Sequence, residues 1–174
     1  DLLFMTLLAA FNILLHRYTG AIDILVGSPI ANRDRAETES LVGFFVNTLV
    51  LRTDLSGNPS FRELLKRVRE VALGAYTHQN LPFEKLVETL PLERDLSYSP
   101  LFQVMFVFQN VPIADIKLPD LTMHPVRIDS PTAQFDLTLD LTETKSGLIG
   151  RLEYNTDLFD ADAIARMVGH FQTL

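Results

Sequence analysis

The chain has 174 residues, the size of one domain or one lobe of a larger one, and its 15 Lys+Arg against 22 Asp+Glu give a formal net charge of −7. A hydrophobic fraction of 47% supports a core of ordinary size and excludes a disordered tail. Zero Cys excludes disulfides, thiolate zinc sites and a Cys nucleophile, which fits a cytosolic protein, and the acidic balance argues against a nucleic-acid partner.

Of residues 1–15 only Asp1, Thr6 and Asn12 are clearly polar. Neither a basic signal-peptide start nor the roughly 20 apolar residues of a membrane span is present. The pattern predicts a helix that is apolar nearly all round, and therefore buried nearly all round, inside a protein that continues upstream. After Thr19-Gly20, residues 22–30 read as a strand with Gly27-Ser28-Pro29 bending its end. Residues 31–40 form a loop or short helix. Residues 44–53 carry apolar side chains on both faces, which predicts a central, covered strand.

Ser60-Phe-Arg-Glu63 is a capping box, and the helix it opens lines Phe61, Leu64, Leu65, Val68, Val71, Ala72 and Ala75 along one stripe. Pro82 stands where a second helix begins, with Phe83, Leu86, Val87 and Leu90 as its stripe and Pro91 as its end. Residues 101–109 make another strand. Pro112, Pro119, Pro125 and Pro131 punctuate 111–132, which is expected to be a long crossing loop. Phe135, Leu137, Leu139 and Leu141 alternate with polar residues in a strand that turns through Lys145-Ser146-Gly147 into its partner. Asp160 caps a last helix with Ile164, Met167, Val168 and Phe171 inward. The order implies a mixed α/β layered architecture, antiparallel at least in the final hairpin. Residues 1–87 carry nine basic and nine acidic groups and 88–174 six and thirteen, so the negative charge sits in the second half as a solvated acidic surface.

The chemistry-bearing residues are few. There is no phosphate-binding glycine loop, nucleophile elbow or His pair at metal spacing; His16, His78, His124 and His170 are scattered and read as structural or surface groups. Asp136 and Asp140 share a strand face with Thr138 and Thr142, a solvated face rather than a catalytic pair. Two residues stand out. Asn47 points with Leu49 and Leu51 into a covered face, where an amide needs partners: a structural bond to a neighbouring loop or a substrate. Ser28, at an expected strand end, is either a turn residue or part of a binding loop.

Val42-Gly-Phe-Phe-Val-Asn-Thr48 with the downstream Arg52 resembles the fifth core motif of condensation domains from nonribosomal peptide synthetases. His78-Gln-Asn-Leu-Pro-Phe-Glu84 is similar to the sixth motif and Arg94-Asp-Leu-Ser-Tyr-Ser-Pro-Leu101 to the seventh. Val26-Gly-Ser-Pro-Ile-Ala-Asn-Arg33 precedes them and the Phe135-Asp-Leu strand follows, so the resemblance covers nearly the whole chain.

The resemblance implies one half of a chloramphenicol-acetyltransferase-like fold, a mixed-sheet two-layer lobe facing a tunnel. Donor and acceptor peptidyl carrier proteins would deliver thioesters on phosphopantetheine arms, with no cofactor bound directly and no nucleic acid or membrane involved. The His-His-x-x-x-Asp-Gly motif of the N-terminal lobe does not occur here, so 1–174 corresponds to the C-terminal lobe, with no catalytic residue and no metal ligand of its own. By the same resemblance Asn47 and Ser28 face the tunnel, while Gly43, Arg52, Pro82, Phe83, Glu84, Arg94 and Asp95 are structural motif residues. An epimerising or cyclising relative, a coenzyme A-dependent acyltransferase of the same fold and a non-catalytic carrier-docking module are the alternatives.

Overall fold

The computed structural model describes residues 1–33, 36–91, 99–109 and 132–174. The elements in chain order are α1 (Leu2–Thr19), β1 (Asp23–Ile30), α2 (Ala36–Glu39), β2 (Asn47–Asp54), α3 (Phe61–Thr77), α4 (Phe83–Thr89), β3 (Val104–Gln109), β4 (Leu137–Thr144), β5 (Gly147–Tyr154) and α5 (Ala161–Thr173). The expected crossing loop at 111–132 lies outside the described residues apart from Thr132, as do Arg94, Asp95 and His124.

The strands form one mixed sheet in the order β2-β1-β3-β4-β5. β1 runs antiparallel to β2 and parallel to β3; β4 runs parallel to β3 and antiparallel to β5. Helices α1, α3 and α5 cover one face, with α1 between the other two. The chain is thus a two-layer, mixed α/β lobe. α1 begins where Asp1 accepts the Leu3 N–H and ends where Gly20 takes the left-handed conformation that a Cβ would strain. Its length and hydropathy would suit a membrane span, yet Phe4, Leu8, Phe11 and Leu15 are buried in the core, the environment of a core helix. The rings of Phe4 and Phe11 pack on Phe106 of β3 at 5.4 and 5.9 Å. The buried amide of Asn12 donates to Thr53 Oγ1 at 3.1 Å, tying α1 to β2.

The capping box of α3 is present as predicted: Ser60 Oγ accepts the Glu63 N–H, and the Glu63 carboxylate accepts the Ser60 N–H at 2.8 Å. Asp160 caps α5 through the Ala163 N–H at 2.7 Å. Phe61 and Val168 depart from their stripes and are exposed; Val168 instead borders an apolar cleft of about 320 Å³ between α1, α5 and β5.

Two expectations about strands are corrected. The segment 44–53 is not a central strand: pairing begins only at Asn47, and among the described residues β2 is an edge strand bonded to β1 alone. Before Asn47, the carbonyls of Leu41 and Gly43 accept from the Arg33 guanidinium at 2.9 and 3.4 Å, so the apolar run there is a pinned loop. Nor does Gly27-Ser28-Pro29 bend the end of β1, which stays in register with β2 through Ile30↔Asn47. The registered bridge of β1 to β3 is Gly27↔Met105.

Gly27 serves a close approach rather than a turn. A Cβ there would stand 2.2 Å from the ring of Phe102. That ring is buried on the sheet face away from the helix layer, against Phe83 at 5.6 Å and Phe135 at 5.4 Å.

Candidate functional site

α3 ends at His78, whose Nδ1 pairs with the Gly74 carbonyl at 2.9 Å, and the chain turns through 79–82 into α4. Pro82 occupies the N-cap of α4 and has no side chain able to accept a bond. Asn47, at the start of β2, supplies the missing cap. Its Oδ1 accepts the Phe83 N–H at 3.1 Å, and its Nδ2 donates to the carbonyls of Gln79 and Leu81, both at 2.8 Å. Of the two readings of Asn47, the structural bond to a neighbouring loop is therefore present.

Around this staple lies a pocket of about 370 Å³ bordered by Asn32, Phe44, Asn47, Asn80, Phe83 and Glu84. The first turn of α4 presents Glu84 to it. Ser28 does not share this pocket. It is 3% exposed within the β1–β2 ladder, paired with Leu49, which corrects its reading as an exposed turn residue. It borders a second pocket of about 460 Å³ with Phe4, Ile30, Tyr76 and Gln109. Val46 borders both, so the end of the 36–46 segment is their common wall. Burial pushes the Tyr76 hydroxyl above its ordinary range, and Tyr76 borders the second pocket. Tyr76 passed unremarked in the sequence because it follows the apolar stripe of α3; a tyrosine at the end of such a stripe, with an apolar ring and a polar tip, was the available signal.

The remaining motif residues build the frame. Arg52 forks onto the Asp23 carboxylate through Nε at 2.9 Å and Nη2 at 2.8 Å across the β1–β2 edge, and this bond holds Asp23 below the usual carboxylate range. Both side chains are exposed, so the pair contributes little stability. Gly43 lies against Phe45, with room for a Cβ only at 3.0 Å from the ring. His16 pairs with the Ala21 carbonyl and His170 with the Tyr18 hydroxyl, each at 2.8 Å, in keeping with structural roles.

On the far face of the sheet, Asp140 accepts from Gln109 Nε2 at 3.2 Å and sits opposite Arg151 of β5. Its carboxyl is half-buried and raised above the ordinary range, chiefly by desolvation. The face is thus less solvated at Asp140 than its alternation suggests. Among the described residues no group of three or more His, Asp or Glu is placed to hold a metal ion, and no histidine borders either of the two pockets.

The condensation-domain family model matches residues 3–174. The chain is 60% identical over 174 residues to one of the linear gramicidin synthase proteins of Brevibacillus parabrevis, covering 99% of this chain and 2% of that protein. It is 50% identical over 172 residues to malpinin synthetase of Mortierella alpina, again covering 99% of this chain and 2% of that protein. The chain thus spans a small fraction of these relatives. Among solved structures it is similar to a holo four-domain nonribosomal peptide synthetase bound to AMP and glycine, with a TM-score of 0.86 and 29% identity over 98% of this chain and 14% of that one. It is also similar to the X-domain of teicoplanin biosynthesis in complex with OxyB, with a TM-score of 0.80 and 32% identity over 97% of this chain and 39% of that one. The mixed-sheet lobe, the motif strand with its Asn47 staple and the match over nearly every residue have one explanation: this chain belongs to the condensation-domain family of nonribosomal peptide synthetases, with a chloramphenicol-acetyltransferase-like fold.

Proposed function

We propose that the chain is the C-terminal lobe of a peptide-bond-forming condensation domain, working with an N-terminal lobe that carries the His-His-x-x-x-Asp-Gly motif. The observation that carries the reading is the 60% identity to a linear gramicidin synthase protein over essentially the whole chain. Donor and acceptor carrier proteins present their thioesters on phosphopantetheine arms. The acceptor amine attacks the donor thioester carbonyl; the C–N bond forms, the C–S bond breaks, and the thiol leaves with the proton the amine gives up.

This chain's share of that work is shape. The pockets at Asn47 and Ser28 form part of the tunnel wall, and the Asn47 staple fixes α4 against β2 so that the wall keeps its form. We assign the group that takes the amine proton to the other lobe; among the described residues His16, His78 and His170 are each engaged away from both pockets, which supports that assignment. Supplying the complete domain with a loaded donor and a loaded acceptor carrier tests this. An amide-linked product on the acceptor carrier, seen by mass spectrometry, is expected; a product changed only in stereochemistry or ring closure would assign the epimerising or cyclising branch.

The likeness to the teicoplanin X-domain, solved in complex with OxyB, favours a second reading as a protein-docking module. A complete domain that binds a partner protein and makes no product would support it.

A further inference from the structure

We propose that Arg33 is a positioning residue for the condensation reaction, acting through the 38–46 loop to set the wall shared by the two pockets. The proposal rests on the function proposed above. The guanidinium of Arg33 donates through Nη1 to the carbonyls of Thr38 and Leu41, the latter at 2.9 Å, and through Nη2 to that of Gly43 at 3.4 Å. Its central carbon lies 4.3 Å from the ring centroid of Phe45. One side chain thus gathers three carbonyls and an aromatic face. Only a planar fork with several donors does this, whereas a lysine offers a compact point charge.

The apolar side chains of the loop do little to hold it. Val42 is fully exposed, Phe44 is 90% exposed, and Leu41 and Val46 are exposed as well, so burial of its apolar side chains does not fix its position. Its order depends on polar ties, and Arg33 provides three of them. Directly before Arg33, Asn32 takes a left-handed conformation, φ 50, which asparagine accepts more readily than most residues. The Asn32 side-chain oxygen is buried without a hydrogen-bond partner, and Asn32 borders the 370 Å³ pocket. Phe44, Phe45 and Val46 of the loop border the same pocket, and Val46 also borders that of Ser28. A loop released from Arg33 would leave both pockets without a fixed common wall, while Asn47 would keep its own ties to 79–83.

The test uses the complete condensation domain, with Arg33→Lys and Arg33→Ala beside the wild type. Backbone hydrogen exchange followed by mass spectrometry reads the loop independently of activity. Exchange across 38–46 should quicken about tenfold or more in both variants, while α1 and β3 exchange as in the wild type and certify the fold. In condensation assays KM for the carrier-loaded substrates should rise about tenfold, with kcat within about threefold and no rescue by lysine. Unchanged exchange in the loop would overturn the proposal, as would faster exchange with unchanged KM, or an Arg33→Lys variant that matches the wild type. A wild-type domain that makes no amide bond would instead overturn the function on which the proposal rests.

Discussion

Asn47 caps a helix that is distant in sequence: its Oδ1 accepts the Phe83 N–H at 3.1 Å, while both Nδ2 hydrogens are taken by the carbonyls of Gln79 and Leu81. The motif asparagine and the Pro-Phe motif thus form one device, in which proline starts α4 and the asparagine of β2 supplies the acceptor that proline lacks.

Asn47→Ala should therefore destabilise the domain. Removing a cap and exposing two carbonyls of a half-buried turn costs about 1–3 kcal/mol, a fall of several degrees in the thermal midpoint. Calorimetry on the complete domain checks this. A variant with an unchanged midpoint and lost turnover would mean that the amide acts on substrate and not on α4.

Much of the fold is legible in the sequence because it is written in local signals. The Ser60–Glu63 capping box, the Asp160 cap, the Gly20 stop and the alternation of β4 each act within a few residues. The edge position of β2 is not legible, since apolar residues at 44–46 imitate a strand and their constraint comes from Arg33, outside the run. For the site, a buried-facing Asn47 announces that it needs partners, but its partners lie 32 to 36 residues away and no periodicity names them. Ser28 misleads for a related reason: Gly-Ser-Pro reads as a turn, while Gly27 is there to admit the Phe102 ring and Pro29 stays in register with Thr48 of β2.

Gly27→Ala should be costly, because the added methyl meets the Phe102 ring wedged against Phe83 and Phe135. Overpacking of this kind costs about 1–3 kcal/mol. Denaturant unfolding measures it, and Phe102→Leu combined with Gly27→Ala should recover part of the loss. A Gly27→Ala domain as stable as the wild type would show that Phe102 moves aside freely.

Asp140 gives a pH dependence with a defined sign. Burial raises its folded pKa above the ordinary carboxylate value, with Arg151 and Gln109 offsetting part of the shift. The folded state therefore holds this proton more tightly than the unfolded chain, and stability falls as pH climbs from the ordinary carboxylate value through the folded one. Asp140→Asn removes that dependence and still offers an oxygen to Gln109. The stability difference between variant and wild type should be level at low pH, then grow in the variant's favour across that window. A difference that grows in favour of the wild type would contradict the assignment.

The isolated chain should self-associate. Leu41, Val42, Phe44 and Val46 form an exposed apolar stretch beside the pockets, and such surface favours association. Sedimentation velocity across a concentration series should show mass-dependent oligomers; a single monomer boundary at high concentration would count against it.

The central claim is that this lobe shapes the tunnel while the other lobe supplies the proton acceptor, and it is tested most directly by comparing two proteins in one assay. The 174-residue chain and the complete domain that carries it are each given the same loaded donor and acceptor carriers, and amide product is counted by mass spectrometry. The account predicts product from the complete domain and none above background from the chain alone. Amide product from the chain alone would contradict it.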